Sequence, residues 1–466
     1  MRKSNPKILL PQLDLSIEAI AGETLFDTLM KEGVLLRCNL DTPCGGKKTC
    51  RKCRVMIDGK EELACCFEVT KNIKVVIASE AKQSALFFSN ADCFASLAMT
   101  KKLDTQIAAL DIGTTTIALE TSTHSAYFLN PQKIYGADVI TRINACNEGH
   151  FDKLRTILID SIKDNLKCAD EHITVITAAN AAMLHMLAGV DPRPIGVAPY
   201  KAVFTDTREV IVDNVTFVLL PSAGAFVGAD VVAGVLSSGM YQDGGNSILI
   251  DLGTNGEIVL KADGNYYGAS AAAGPALEGG NISCGTFSSD TAVSSVQIKD
   301  NQIIVDKPDS AVICGAGLID LVACLLERGD IDETGATPEQ MKVANITLTA
   351  KDIREVQLAK AAINATILAL IKAANITADD INKVYLAGGL GKGLNPKNAE
   401  RIGLIPKGFA QKTKAIGNSS LQGAKMCAAN PKLIKTCEEI ARKIKILELT
   451  QNADFFELYT QAIMFD

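Results

Sequence analysis

Four candidate ligand thiols, with a fifth at Cys66, lie close together in PCGGKKTCRKCRVMIDGKEELACC, residues 43 to 66. Cys44, Cys50 and Cys53 follow the spacing C-x5-C-x2-C, and Cys65 stands beyond a short polar stretch. Three clustered thiolates and a remote fourth suit a 2Fe–2S cluster, whose plant-type spacing is one residue shorter at the first gap. Gly45 and Gly46 lack a Cβ, so the backbone can bend closely around an inorganic core. Lys47, Lys48, Arg51 and Lys52 offset part of the negative charge of thiolates and sulfides. Four thiolates also suit zinc, although zinc sites usually pair two C-x2–4-C units, and here the remote thiol has only Cys66 beside it. Cys38 competes for the register, and Cys66 competes with Cys65 for the fourth place.

A second chemistry is written twice. TQIAALDIGTTTIALETS (105–122) runs an apolar strand into Asp111, a Gly-Thr-Thr-Thr turn and a second strand. SILIDLGTNGEIVL (247–260) repeats the arrangement around Asp251, 140 positions later, which implies two related halves. Successive backbone N–H groups in a Gly/Thr turn form a nest for phosphate oxygens. One Asp per loop suits magnesium or its waters, which prefer octahedral oxygen coordination. Two such loops facing each other would clamp the phosphates of ATP. A third piece, KVYLAGGLGKGLNP (383–396), ends a strand in Gly388-Gly389, where backbone can approach a flat base without side-chain interference.

The elements that must position these groups are legible in order. Residues 6 to 20 alternate apolar and polar and predict a hairpin. Leu25, Leu29 and Met30 predict a helix ending at Gly33, and Asp58-Gly59 predicts a tight hairpin turn after the cysteine loop. Together they form a β-grasp module over residues 1–76. Residues 77–104 are a linker or insert; 77–100 read as an Ala/Ser-rich stretch that resembles the translated read-out of a dispersed genomic repeat, with a flexible linker as the alternative. The first half of the second domain spans 105–245 and the second half 246–466. Asp138 and Arg142 predict a surface ion pair at helical spacing, with a place near the cleft as the alternative. Asp230 either lines the cleft or caps a helix. His185 and Cys284 read as buried structural residues, and 432–451 as one amphipathic surface helix.

Composition sets limits. The chain has 466 residues, 47% hydrophobic and 21% charged, room for two or three domains of ordinary globular composition. A net charge of −6 gives no support for nucleic-acid binding. No secretory h-region and no uncharged apolar run of membrane-spanning length is present, so the expectation is a cytoplasmic protein without a membrane partner. Most of the fourteen cysteines are then free thiols.

The three nucleotide motifs in this order resemble the superfamily of actin, sugar and acetate kinases and heat-shock chaperones. More narrowly, the chain resembles the ATP-dependent reductive activators of corrinoid proteins. CGGKKTCRKC, LDIGTTTIA, NPQKIYGADVITRI, GAFVGADVVAGVL, IDLGTNGEIVL, AAAGPALEGGNISCG and LAGGLGKGLNPKNAERIGLIP carry that resemblance. It implies a multi-domain α/β fold: a β-grasp 2Fe–2S ferredoxin-like domain followed by a duplicated ribonuclease-H-like, actin-type ATPase domain. It assigns Cys44, Cys50, Cys53 and Cys65 to the cluster, and Asp111, Gly113, Thr114 and Thr115 to the first phosphate loop. Asp251, Gly253, Thr254, Asn255, Gly256 and Glu257 fall in the second, and Gly388 and Gly389 at the adenosine. Asp111 and Asp251 are the catalytic pair. The implied cofactors are a 2Fe–2S cluster, ATP and Mg2+. The implied partner is a corrinoid, cobalamin-binding protein of a methyltransferase system, reduced from Co(II) to Co(I), with a homodimer left open. The alternatives are activators of the 2-hydroxyacyl-CoA dehydratase type and a kinase with a regulatory iron–sulfur domain. The interval from Cys53 to Cys65 is shorter than the family pattern, and the segment between the domains is compressed or replaced.

Overall fold

The computed structural model describes residues 5–77 except 14, 33, 36–45, 47 and 49–52, and residues 106–465 except 168–171 and 392. Cys38, Cys44, Cys50 and residues 78–104 of the linker or insert expected at 77–104 therefore lie outside the described residues.

The N-terminal sheet has five strands: β1 (Lys7–Leu10), β2 (Leu15–Glu18), β3 (Arg54–Ile57), β4 (Lys60–Leu63) and β5 (Ile73–Val76), in the order β2-β1-β5-β3-β4. The first hairpin pairs Ile8 with Ile17. Alternation in β1 and β5 sends Ile8, Leu10, Ile73 and Val75 into the core. Helix Leu25–Lys31 covers this face with Leu25, Phe26 and Leu29, and Thr24 caps it by accepting from the Asp27 N–H. Asp58 and Gly59 both have positive φ, the turn that joins β3 to β4 without splaying them.

Two six-stranded sheets follow. In the first, β6 (Ile107–Ile112), β7 (Thr116–Glu120) and β8 (Ser125–Leu129) form an antiparallel meander. Strand β9 (Ile173–Ala179) adds parallel to β6, β11 (Val215–Leu219) adds parallel to β9, and β10 (Arg208–Val212) closes the edge. The second sheet repeats the plan with β12 (Asn246–Leu252), β13 (Gly256–Ala262) and β14 (Asn265–Ala271). Hairpins β15 (Val296–Lys299) with β16 (Gln302–Val305) and β17 (Gln340–Val343) with β18 (Ile346–Thr349) stand apart from it. Strands β19 (Ile381–Ala387) and β20 (Thr413–Gly417) extend the sheet in parallel, and β21 (Ile444–Ile446) joins β14 at its far edge. The repeated strand order is the duplicated ribonuclease-H-like plan.

Helix Ala350–Ala373 is the one described helix long and apolar enough to cross a membrane, and 78% of that stretch is buried inside the protein. It lies against β13 and β14. The amphipathic stretch 432–451 is not one helix: helix Lys432–Lys443 stops, and Ile444-Lys445-Ile446 becomes β21. Its β-branched, alternating pattern finds a free edge on β14, which overrides the helical periodicity. Helices Ser419–Ala429 and Lys432–Lys443 follow the second sheet in sequence, yet both pack on helix Ala229–Ser238, and the former also on β6 and β9 of the first sheet.

Candidate functional site

The cysteine loop is anchored by the β3–β4 hairpin. Cys53 precedes β3 and Cys65 follows β4 by one residue, so pairing Arg54 with Leu63 brings the two thiols together. Their Sγ atoms are 3.2 Å apart and both residues are buried. Eleven intervening residues suffice because two four-residue strands, a two-residue turn and Ala64 use them up. Burial first, then the neighbouring Cys53, pushes the Cys65 thiol far up. Cys66 is exposed and its Sγ lies 3.8 Å from that of Cys65. Gly46 has a φ of +82°, and a Cβ there would meet the Phe26 ring at 2.4 Å, so only glycine lets the loop press on the helix.

The two D-x-G-T loops are the β6–β7 and β12–β13 turns, and they meet. Thr115 Oγ1 and Thr254 Oγ1 are 3.5 Å apart. Asn130 fastens the first loop, donating its N–H to the Thr115 carbonyl (2.9 Å) and Nδ2 to the Gly113 carbonyl (2.9 Å). Asn180, which caps helix Ala181–Ala188, donates to Thr114 Oγ1 at 3.4 Å. A Cβ at Gly113 would meet the Thr116 carbonyl oxygen at 2.6 Å, so the turn closes only on glycine.

Arg142 corrects the expected surface ion pair. It is fully buried, donates to the carbonyls of Gly136 (3.0 Å) and Thr114, and among the described residues forms no salt bridge with a carboxylate. Asp138 instead caps helix Val139–Asn147 through the Thr141 N–H at 2.8 Å. Burial pulls the Arg142 guanidinium down to about 9, with Asp138 opposing. The carbonyls of Gly136 and of Thr114 in the first D-x-G-T turn, invisible as partners in the sequence, took the donors.

Carboxylates gather around the loops. Asp251 on β12 and Glu257 on β13 are direct cross-strand partners, an arrangement of like charges that costs stability unless a cation sits nearby. Asp251 is pushed up to about 8 by burial, then by Asp230, Asp111 and Glu278. Burial, then Asp111, raises Asp230, and burial, then Asp230 and Asp251, raises Glu257. Asp230 lies in the first turn of helix Ala229–Ser238 beside the other carboxylates, and it does not cap that helix, whose N-cap is Gly228. Glu278, not singled out in the sequence, accepts from Thr254 Oγ1 at 2.6 Å; its signal was an acidic residue inside the Gly-rich AGPALEGG. Among the described residues no three Asp, Glu, His or Cys groups converge to ligate one ion directly. The cluster suits a hydrated cation.

Gly388 follows β19, with φ +88°, and a Cβ there would meet the Leu252 carbonyl oxygen at 2.3 Å and Asp251 Oδ1 at 2.7 Å. Gly389 and Gly253 face open space, whereas the place of a Gly256 side chain is filled by Ile363. Asn255 completes the second turn, its carbonyl accepting from the Gly253 N–H at 3.0 Å. His185 and Cys284 sit outside this constellation. His185 Nε2 accepts from the Val203 N–H at 3.0 Å and its ring stacks on Phe204, so it is a buried structural histidine.

Residues 107–243 match the RACo middle region and residues 245–466 the C-terminal ASKHA domain of RACo. Together they take in more than three quarters of the chain. The chain belongs to the RACo family. A relative from Eubacterium limosum, the corrinoid activation enzyme RamQ, is 26% identical over 98% of this chain and 99% of its own. The [Co(II) methylated amine-specific corrinoid protein] reductase of Methanosarcina barkeri is 30% identical over 54% of this chain and 51% of its own. The fold matches a reductive activator for corrinoid, iron–sulfur protein with a TM-score of 0.71 at 24% identity, covering 99% of this chain and 98% of the other.

The raised carboxylates fix a sign for pH. Their folded values stand above the unfolded value of about 4, so between roughly pH 4 and 8 the nucleotide-free fold binds more protons than the unfolded chain. Its stability therefore falls as pH rises through that window. Thermal unfolding of the metal-free protein at pH 7 and pH 8.5 should show the lower midpoint at pH 8.5, and Asp251→Asn should reduce the difference. A midpoint that rises with pH in the parent and is unchanged in the variant contradicts the placement of these charges.

Proposed function

We propose that this chain is an ATP-driven reductive activator that passes one electron from a 2Fe–2S group to a corrinoid protein of a methyltransferase system, taking Co(II) to Co(I). What carries the reading is one combination: a buried thiol pair on a ferredoxin-like sheet, in the same chain as two facing phosphate loops of the RACo ATPase domain. Residues 1–76 are the cluster domain, 77–104 the linker or insert, and 105–245 with 246–466 the two ATPase halves.

Cys44, Cys50, Cys53 and Cys65 would hold the iron–sulfur group, which supplies a one-electron donor when bound. The thiol pair fits it, being buried, adjacent and backed by a loop that tolerates only glycine at position 46. Backbone N–H groups of the 113–115 and 254–255 turns would bind the phosphates of ATP, and the side-chain-free backbone of Gly388 and Gly389 would give its adenosine a wall. Asp111 and Asp251, with Asp230, Glu257 and Glu278, would hold hydrated Mg2+, which supplies positive charge to the phosphates when bound, and would orient the attacking water. Each ~59 mV of one-electron deficit amounts to about 1.4 kcal/mol. ATP has no redox chemistry, so its contribution acts through closure of the two halves on the partner.

The fate of the γ-phosphate tests this reading against a kinase. With labelled ATP, the label should appear as inorganic phosphate and in no small-molecule product, and a Co(II) corrinoid protein should accelerate its release. A labelled organic product would overturn the activator reading.

A further inference from the structure

Asp111 belongs to the first sheet, but the two groups that hold its carboxylate do not. Asn418 Nδ2 donates to Oδ2 and Ser420 Oγ donates to Oδ1, each at 2.7 Å. Both donors come directly after β20 of the second sheet, at the start of helix Ser419–Ala429. That helix is tied into the first half along its length. Ser237 Oγ donates to the Ser419 carbonyl at 2.7 Å, and Lys425 pairs with Glu120 of β7 at 2.6 Å. Gly423 crosses so close to helix Ala229–Ser238 that a Cβ would lie 2.2 Å from the Ala233 carbonyl oxygen.

A carboxylate fixed at both oxygens by neutral donors keeps one free lone pair on each oxygen. Groups that orient a cation-holding carboxylate matter about tenfold to a hundredfold in affinity or activity. We propose that Asn418 and Ser420 are positioning residues of the ATPase centre, fixing Asp111 for the nucleotide's cation and making its alignment depend on where the second sheet sits. The inference rests on the ATPase reading above. It adds a route by which movement of one half resets the chemistry of the other, since the clasp begins one residue after β20.

Asn418 does two jobs that a variant can separate. Its Oδ1 caps the helix by accepting from the Leu421 N–H at 2.8 Å, while Nδ2 holds Asp111. Asn418→Asp keeps a capping oxygen of equal quality and turns the donor into a like charge facing Asp111. The experiment is ATP hydrolysis by the full-length protein with Mg2+ titrated at fixed ATP, alongside thermal unfolding. In Asn418→Asp and Ser420→Ala the Mg2+ concentration for half-activation should rise about tenfold or more and kcat should fall. Ser420→Thr, which keeps the hydroxyl, should restore both to within about threefold of the parent. An unchanged Mg2+ half-activation in Asn418→Asp and Ser420→Ala, with or without a lower unfolding midpoint, overturns the proposal. Asp111→Asn separates the two levels: if it too hydrolyses ATP normally, the ATPase reading fails, whereas if it alone is inactive only the positioning role falls.

Discussion

Asp251→Asn and Asp111→Asn should each lower ATP turnover by roughly a hundredfold or more, the scale of removing one preorganised electrostatic group from a reacting centre. The amide keeps the shape of the carboxylate and removes the charge that holds a hydrated cation against the phosphates. The two variants should differ in stability. Asp251 faces Glu257 across the β12–β13 ladder and is raised by burial and three further carboxylates. Neutralising it relieves repulsion in the empty protein, so its unfolding midpoint should rise while activity is lost, a familiar conflict between stability and function. Asp111 instead accepts from Asn418 and Ser420, and an amide there sets one N–H against a donor. Its midpoint should fall or stay level. Absorption of the iron–sulfur group should be unchanged in both. Near-normal hydrolysis in either variant would mean that these turns are not the phosphate loops.

Cys53→Ser and Cys65→Ser should each abolish assembly of the iron–sulfur group, and Cys44→Ser and Cys50→Ser should do the same. Protein purified anaerobically should carry about two irons and two sulfides per chain, and these variants should carry almost none. Cys66→Ser should retain the metal, because its side chain is exposed while Cys65 is buried against Cys53. Cys38→Ser should also retain it. ATP hydrolysis should survive in every cysteine variant, since the phosphate loops lie in other sheets. Loss of iron in Cys66→Ser but not in Cys65→Ser would move the fourth ligand by one residue; four irons or stoichiometric zinc would remove the cluster assignment.

Much of this was legible because the chemistry is local. A D-x-G-T turn between two apolar strands states its hairpin, and its repetition states the duplicated halves. Asp58-Gly59 states the turn that makes Cys53 and Cys65 neighbours. Long-range partners were not legible. Nothing near Arg142 announces that its guanidinium reaches the Thr114 carbonyl, 28 residues away. Asn418 and Ser420 meet Asp111 across about 300 residues, and only the crossing of helix Ser419–Ala429 onto the first sheet brings them there. Glu278 sat inside a recognised Gly-rich stretch, but its bond to Thr254 depends on that loop returning to the β12–β13 turn. Residues 432–451 misled because helical periodicity does not reveal an open sheet edge.

Electron transfer and ATP hydrolysis on one chain make sense together only if the product requires both. The most direct measurement is the optical spectrum of a Co(II) corrinoid partner mixed anaerobically with the reduced full-length protein, with and without ATP. Co(I) should form with ATP, should not form without it, and should not form with Cys50→Ser even while that variant hydrolyses ATP. Formation of Co(I) to the same extent and at the same rate without ATP would contradict the coupling and leave a simple electron carrier in its place.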